Sequence, residues 1–490
     1  MELPQLKLSE SEIKKEDPWA DDALKRSFCA ETLTDFLKDQ NSALTVALNG
    51  PWGTGKTFFL KRWAQDLKNN KHEVVYFNAW QDDCLEDPLV AIIGQLWQNL
   101  KGGTFDGLCS SLKEAAVPVL RKVGIGLLNQ GFKISTGISG ETVSEECLKT
   151  GCESAFDEYE KQTKYREDFK KRLQKLTDKI FKETGSSLVF IVDELDRCRP
   201  DFAVKVLERI KHLFDIDHVI FVLGIDREQL GHVIRSVYGD IDVENYLLRF
   251  IDVDFLLPQI KHNAFFNALW EKYGLDAYVE SKGEQYRRRN MMYSGAINPV
   301  LAEASGLRKA MKSFFEYHEF SLREIDFGLR LCILILKNTS AGYRMFPELI
   351  PLLVLLKIRG GALYRKFVDF SCTLDEIVDF AFPYSIEELS GAHEKMWARV
   401  QMLGALFSMF RYSQSSGAET KEVLDAISAE KTQYSSSIFR VLPKKELREK
   451  FLKLINANLE KENYFQCDFV KSLAERMDLI CIQPPDEAFG

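Results

Sequence analysis

Five short apolar runs stand out along the first 258 residues of the chain, and stretches with a helical pattern separate most of them. Apolar runs of this length are typical of strands that are buried on both faces of a parallel sheet. Their alternation with helices predicts an α/β layer fold. The predicted strands are ALTVALNG (43–50), EVVYFNAW (73–80), SLVFIVDE (187–194), HVIFVLGI (218–225) and FIDVDFLL (250–257).

A helical lead-in precedes the first predicted strand. Between residues 18 and 40, apolar side chains that include Phe28 and Phe36 recur at spacings near 3.6, which predicts one or two helices. We therefore expect residues 1–40 to lead into an α/β core that covers residues 41–258.

A long stretch, about residues 85–186, separates the second predicted strand from the third. Its middle is rich in Gly, Ser and Thr, and its last part, from Phe156, has a helical pattern that Gly185 ends. We interpret the stretch as a helical insertion or lid within the core. Beyond Pro258 no strand pattern is convincing, and amphipathic runs such as FSLREIDFGLRLCILILK predict a helical C-terminal domain, residues 259–490, that serves as lid and partner-binding region.

The charge balance argues against a chain built mainly to hold nucleic acid. Lysine and arginine number 65 and aspartate and glutamate 73, so the net charge of −8 lacks the strong basic field of an obligate nucleic-acid binder. The ten cysteines form no CxxC pair and no spacing typical of zinc, and no secretory leader precedes Lys14, which favours a reducing, cytoplasmic location. No apolar run approaches the ~20 residues that span a bilayer, so we expect no transmembrane segment.

Residues 50–57, GPWGTGKT, match the pattern G-x-x-x-x-G-K-[ST] between a predicted strand and a predicted helix. The glycines let main-chain N–H groups curl around phosphates, and the helix N-terminus adds its positive end. Lys56 would neutralise phosphate charge, and the Thr57 hydroxyl would ligate Mg²⁺. The alternative is an ordinary glycine-rich turn with an exposed lysine. The predicted nucleotide-binding residues are Gly50, Pro51, Trp52, Gly53, Thr54, Gly55, Lys56, Thr57 and Phe58.

An acidic pair follows the third predicted strand. Leu188 to Val192 are apolar and deliver Asp193 and Glu194 to the edge of the sheet where open α/β folds bind ligands. Asp193 would hold Mg²⁺ through its water shell, and Glu194 would act as the general base that polarises the attacking water. The alternative is a pair of acids that caps the next helix.

Other polar residues lie at the same predicted edge. Asp196 and Arg197 would organise the site or form a structural ion pair. Asp226 would sense the γ-phosphate of the nucleotide or cap the helix that follows it. Asn78 follows the second predicted strand, close to where an attacking water would lie, whereas we expect Trp80 to belong to the core.

In their order, GPWGTGKT, FNAW, VDELDRC and FVLGIDREQLGHVI, followed by YLLRFIDVDFLLP, resemble the KAP group of P-loop NTPases over roughly residues 20–335. The resemblance implies a P-loop ATPase core with an additional strand that carries the catalytic glutamate, related to STAND and AAA-type ATPases and often oligomeric. It implies ATP and Mg²⁺ as cofactors. Many members carry transmembrane helices in the insertion, but the charged, mostly helical insertion of this chain favours a soluble member.

The resemblance also suggests two arginines for catalysis. The arginine-bearing helical lid of the family corresponds to FSLREIDFGLRL, where Arg323 would reach the γ-phosphate. Arg249 would act across a subunit boundary. Either residue is equally well explained as a surface or packing arginine.

The favoured function is a Mg²⁺-dependent ATPase, and the resemblance implies that its turnover drives or resets a conformational or assembly change in a bacterial anti-phage defence or similar conflict system. The sequence offers no second catalytic centre, so we expect a separate effector protein, and we expect this chain to form a homo-oligomer. One alternative is an ATP-gated scaffold with slow turnover, although a nucleotide clamp does not need Glu194. Another is a nucleic-acid motor that uses basic clusters such as Arg287-Arg288-Arg289, although solvated helix faces explain these clusters more simply.

Overall fold

The computed structural model divides the chain into two compact units, Ser11–Gln259 and a second unit made mainly of Ile260–Gly490. The structure describes Leu6 and residues 12–38, 40–101, 103–135, 145–258, 262–281, 299–339, 349–385, 393–412, 417–429, 435–460 and 467–478. The cluster Arg287-Arg288-Arg289 and most of the Gly-, Ser- and Thr-rich middle of the insertion lie outside these residues.

All five predicted strands form, and within the described residues they join one sheet in the order β2-β3-β4-β1-β5. Every neighbouring pair is parallel. The prediction of an α/β fold with a parallel sheet is therefore confirmed. The strands are β1 Leu44–Asn49, β2 Val74–Asn78, β3 Leu188–Asp193, β4 Val219–Ile225 and β5 Val253–Leu256.

The apolar runs reflect burial on both faces of the sheet. Every residue of β3 and β4 is buried, because these strands have a neighbour on each side and helices above and below. The edge strand β5 instead alternates half-buried and exposed residues, because only β1 pairs with it. All five strands end at one edge of the sheet, which we call the carboxyl edge.

Two apolar clusters cover the two faces of this sheet. Residues of α1 and α2 pack on one face, together with Val46 and Val189. Residues of α3 to α8 pack on the other face, together with Ala47 and Phe190. The helices of this unit are α1 Ser27–Lys38, α2 Lys56–Asn69, α3 Pro88–Leu100, α4 Asp106–Ser135, α5 Glu145–Thr184, α6 Pro200–Leu213, α7 Arg227–Tyr238 and α8 Val243–Leu247.

The lead-in contains one helix, where the sequence predicts one or two. Residues 18–26 form turns, and only α1 is helical. Its buried face consists of Ala30, Leu33, Thr34 and Leu37. Phe28 and Phe36 are exposed on the opposite side, because apolar spacing carried across a non-helical segment does not fix the phase of the helix that follows.

The insertion contributes directly to the core of the first unit. Leu112 and Ala116 of α4 and Phe169 and Leu176 of α5 are buried in the same cluster as the sheet. α5 ends at Thr184, and Gly185 follows it with a φ of 73°, which is the left-handed stop that glycine favours. Residues 85–186 therefore contain three helices, α3, α4 and α5, in the part that the structure describes.

The described part of the second unit contains helices as its regular elements, in agreement with the predicted fold class. Ser321 and Glu324 form a capping box at the start of one helix, and Thr373 and Glu376 form another. Among the described residues, none of the helices combines the length and apolarity needed to cross a bilayer. The helices are α9 His262–Lys272, α10 Pro299–Tyr317, α11 Leu322–Lys337, α12 Ile350–Arg359, α13 Ala362–Val368, α14 Leu374–Ala381, α15 His393–Tyr412, α16 Gly417–Ser428, α17 Ser437–Val441, α18 Lys445–Glu460 and α19 Cys467–Met477.

Candidate functional site

Residues 50–57, called the phosphate loop below, join β1 to α2 at the carboxyl edge. Gly53 and Gly55 have φ values of 82° and 83°, a left-handed conformation that glycine adopts without steric cost. Gly50 is restricted by space, because a Cβ there would lie 3.1 Å from Thr54 Oγ1. α2 begins directly after Gly55, so its unpaired N–H groups and the positive end of its dipole lie at the loop.

Lys56 is buried within this loop. Its Nζ donates hydrogen bonds to the main-chain carbonyl groups of the first two loop residues, the second at 3.3 Å. Burial lowers the pKa of Lys56, and the nearby carboxylates of Asp196, Asp226 and Asp193 oppose that shift. The predicted phosphate-binding cation therefore lies within electrostatic range of acids from two other strand ends.

Asp193 is the last residue of β3 and is 1% exposed. Tyr76 Oη donates a hydrogen bond to its Oδ2 at 2.7 Å, and the main-chain N–H of Glu194 donates to its Oδ1 at 2.9 Å. Burial raises the pKa of Asp193, and these donors together with the nearby Thr57 hydroxyl partly offset that effect. The two predicted metal-binding residues therefore lie close to each other.

Gly224 lies beside Asp193 on the neighbouring strand β4. A Cβ at this position would overlap Leu60 Cδ1 of α2 and lie 3.0 Å from Asp193 Oδ1. No side chain fits here without displacing one of these groups. Gly224 is not among the predicted site residues, although a lone glycine within an apolar strand is a known sign of close approach by another group.

Glu194 turns the chain away from β3. Its φ of 60° is left-handed, which is uncommon for a residue with a side chain. Its Oε2 accepts a hydrogen bond from Asn78 Nδ2 at 2.9 Å, and its Oε1 forms an ion pair with Arg197 Nη1. The predicted base is therefore held by a group on each carboxylate oxygen.

Asn78 ends β2 and shapes the turn after it. Its Oδ1 accepts the main-chain N–H groups of Trp80 and Gln81 at 3.1 and 3.2 Å. The turn carries the Trp80 side chain outward, where it is 50% exposed. The prediction that Trp80 belongs to the core is wrong, because the alternation of the strand ends at Asn78.

A hydrogen-bond network joins the phosphate loop to the turns after β3 and β4. Asp196 Oδ2 accepts from Trp52 Nε1 at 2.6 Å and from the main-chain N–H of Asp226 at 2.9 Å. Asp226 Oδ2 accepts the main-chain N–H of Trp52 at 2.9 Å, while its Oδ1 caps α7 through Gln229 N. Asp226 therefore caps its helix and also contacts the loop. Burial raises the pKa of Asp196.

The remaining predicted residues lie further from Glu194 or in the other unit. Phe58 is in the first turn of α2, with Arg62 Cζ 3.4 Å from its ring centroid. Arg249 is exposed and, within the described residues, has no ion pair. It precedes β5, which is parallel to β1, so it lies at the edge of the sheet opposite the phosphate loop. Arg323 is exposed on α11 of the second unit.

Mg²⁺ is implied by the family resemblance, and the residues present fit it. A hydroxyl and a carboxylate that lie close together, those of Thr57 and Asp193, are the oxygen donors that Mg²⁺ prefers. In the part of the chain that the structure describes, no group of three or more His, Cys, Asp and Glu side chains could hold a metal ion. Mg²⁺ does not need such a group, because it usually binds through one or two protein ligands, waters and substrate phosphates.

Comparison with known proteins identifies one family. The profile described as KAP family P-loop domain matches residues 26–323, which is more than half of the 490-residue chain. No curated protein matches the sequence.

Solved structures give only a distant likeness. The chain is 13% identical to the Aeropyrum pernix ORC2 protein in ADPNP–ADP complexes, with a TM-score of 0.29 and coverage of 93% of this chain and 94% of that one. It is 14% identical to Drosophila ORC bound to DNA, with a TM-score of 0.32 and coverage of 95% and 73%. Likenesses at this level carry no argument about function.

Proposed function

The chain belongs to the KAP family of P-loop NTPases, and from this premise we propose that it binds ATP with Mg²⁺ at the phosphate loop and hydrolyses it. One observation carries the proposal: Lys56, Thr57, Asp193 and Glu194 lie together at the carboxyl edge, with the Thr57 hydroxyl close to the Asp193 carboxylate. A cation, a metal-binding pair and a base are the groups that phosphoryl transfer to water requires.

Binding depends on the loop and its lysine. The main-chain N–H groups of the loop and of the first turn of α2 would hold the β- and γ-phosphates. Lys56 would exchange its carbonyl partners for phosphate oxygens. Thr57 and Asp193 would hold Mg²⁺, which supplies charge neutralisation at the β- and γ-phosphates.

Hydrolysis depends on Glu194. Its carboxylate would accept a proton from water as the water oxygen bonds to the γ-phosphorus and the bond from that phosphorus to the bridging oxygen of ADP breaks. The products are ADP and inorganic phosphate. Asn78 would keep the carboxylate oriented, since its amide already donates to Glu194. Asp226 would sense the γ-phosphate through its hydrogen bond to Trp52.

Arg249 would complete the site of a neighbouring subunit. It is separated from its own phosphate loop by the length of the six-residue strand β1, roughly 20 Å at about 3.3 Å per residue. An exposed arginine without an ion pair suits a contact in trans, and this supports a homo-oligomer. Arg323 remains the candidate for a site completed within one chain.

ATP turnover would drive or reset a conformational or assembly change in a cytoplasmic defence system against phage, with a separate protein as effector. This wider role rests on the family resemblance. The second candidate is an ATP-gated scaffold with slow turnover, and a specific observation favours it: each oxygen of Glu194 already accepts a hydrogen bond from a side chain. A nucleic-acid motor has less support, because the chain carries a net charge of −8.

One experiment separates the first two candidates. The purified chain is sized with and without ATP and Mg²⁺, and released phosphate is followed in the same sample. The ATPase predicts phosphate release that a chelator abolishes, whereas the scaffold predicts a change in size with little release. Lys56→Ala should lose both effects, and Lys175→Ala, an exposed lysine of α5, serves as the matched control. Nucleotide binding unchanged in Lys56→Ala would contradict the proposal.

A mixing experiment tests the role of Arg249. Arg249→Ala and Glu194→Gln chains are each expected to be inactive alone. If Arg249 acts in trans, mixing them creates interfaces that combine an intact arginine with an intact base, and turnover should partly return. A rate per chain that does not change on dilution, with no rescue on mixing, would favour Arg323.

A further inference from the structure

Arg197 occupies an unusual position beside the candidate base. It ends the 3-10 turn that Glu194 begins, and its Nη1 pairs with Glu194 Oε1. Its Cζ lies 5.9 Å from the ring centroid of Trp52 and 5.8 Å from that of Trp80. The two tryptophans are 43% and 50% exposed. The guanidinium therefore lies near two aromatic rings at an open edge of the site.

The ion pair has a consequence for the chemistry of Glu194. With Oε1 paired to Arg197 and Oε2 bonded to Asn78, an attacking water has to share either oxygen with a side chain that is already bound to it. Arg197 therefore competes with the attacking water for Oε1. Asn78 is fixed by two main-chain N–H groups, whereas the Arg197 side chain is 24% exposed, so Arg197 is the partner that is freer to move.

The surroundings of Arg197 indicate where it would move. Trp52 belongs to the phosphate loop and is fixed there through Asp196 and Asp226. The charge of Arg197 also lies close enough to Lys56 to oppose its protonation. Two cations that face the same loop are favourable when an anion lies between them, and a planar guanidinium matches phosphate oxygens better than an ammonium does.

We propose that Arg197 contacts the γ-phosphate of bound ATP and, by leaving Glu194, frees the base for hydrolysis. This assignment rests on the proposed function and adds a cation supplied within the chain. In the absence of a γ-phosphate, with ADP or with no nucleotide, Arg197 returns to Glu194 and holds the site inactive. The geometry thus couples the presence of the γ-phosphate to the availability of the base.

Nucleotide binding measured by calorimetry tests the assignment without relying on turnover. The probes are ADP and a non-hydrolysable ATP analogue with an imido bridge, each with Mg²⁺. Arg197→Ala should weaken binding of the analogue by about tenfold, the effect of one charged hydrogen bond, and should leave ADP binding unchanged. The matched control is Arg199→Ala, since Arg199 is exposed in the same segment and bonds to the main chain of Asp83 instead. It should change neither affinity.

A double-mutant cycle tests the competition between Glu194 and the phosphate. Glu194→Gln removes the ion pair, so the analogue should bind more tightly than to the unmodified chain. The gain in affinity from Glu194→Gln should vanish when Arg197→Ala is also present. Both substitutions remove the same ion pair, so their effects should not add. Arg197→Lys should keep part of the preference for the analogue over ADP through its charge.

Several results would overturn the assignment. Equal losses of the analogue and ADP in Arg197→Ala would show a structural role, and a gain in Glu194→Gln that persists without Arg197 would show that the ion pair does not compete with phosphate. If Arg197→Ala does not fold, Arg197→Gln provides the same comparison with a neutral side chain. If the unmodified chain bound neither nucleotide, the proposed function would fall and this assignment with it.

Discussion

Gly224→Ala tests how closely the sheet and α2 surround Asp193. The added methyl group would overlap Leu60 Cδ1 and lie 3.0 Å from Asp193 Oδ1. Leu60 is fully buried and Asp193 is 1% exposed, so neither has open space to enter. Leu60 can yield through its side-chain torsions, but Asp193 is fixed by Tyr76 and by the main chain of Glu194.

The magnitude follows from these two contacts. Insertion of one methyl group into a packed core costs about 1–3 kcal/mol of unfolding free energy, and we expect Gly224→Ala to fall in this range. A displaced Asp193 would also weaken Mg²⁺ binding. Because a misplacement of about 1 Å in an active site costs on the order of a hundredfold in rate, we expect turnover to fall roughly tenfold to a hundredfold.

Urea unfolding measures the first effect, and phosphate release over a Mg²⁺ titration measures the second. Gly94→Ala in α3 is the matched control: nothing lies within 4 Å of its added Cβ, so it should be neutral or stabilising by up to about 1 kcal/mol. Adding Leu60→Val to Gly224→Ala should recover stability but not turnover, because the contact with Asp193 remains. If Gly224→Ala had the stability and Mg²⁺ dependence of the unmodified chain, the packing argument would be refuted.

Three further changes test the site. Lys56→Ala should abolish ATP binding in a calorimeter, because it removes the buried cation of the loop, and undiminished affinity would exclude the loop as the site. Glu194→Gln should retain ATP but lose at least about tenfold in turnover, and a smaller loss would withdraw Glu194 as base. Burial raises the pKa of Asp193, so the ionised carboxylate lowers the free energy of unfolding at neutral pH. Asp193→Asn should therefore raise the free energy of unfolding of the protein without nucleotide at neutral pH. This gain should fade as the pH falls towards about 4, where the carboxyl is protonated in the unfolded chain as well. Thermal unfolding across pH that showed no such gain would count against a buried, ionised Asp193.

The sheet and its acidic residues could be predicted because burial leaves a simple pattern. Central strands such as β3 and β4 are buried throughout, so their apolar runs end where the chain leaves the sheet. Asp193 and Glu194 stand at such an end. The pattern fails where a regular element stops, and this explains the error at Trp80. The Asn78 turn redirects the Trp80 side chain away from the core.

The contacts of Asp196, Trp52 and Asp226 could not be predicted, because they depend on the order of strands in space. The three residues follow β3, β1 and β4, which are separated along the chain but neighbours in the sheet. A list of strands does not contain this order. Gly224 was missed for the same reason, since its requirement comes from Leu60 and Asp193, which lie on two other elements.

The same strand order limits where catalytic cations can come from. The phosphate loop and the acidic residues follow β1, β3 and β4, so the γ-phosphate would lie at the carboxyl edge among these three strands. Arg197 lies in that region and is part of the same chain. Arg249 precedes β5 at the opposite edge, so it can reach a γ-phosphate only in another subunit. The two arginines are therefore not competing candidates: Arg197 would respond to the nucleotide within the chain, and Arg249 would make hydrolysis depend on assembly.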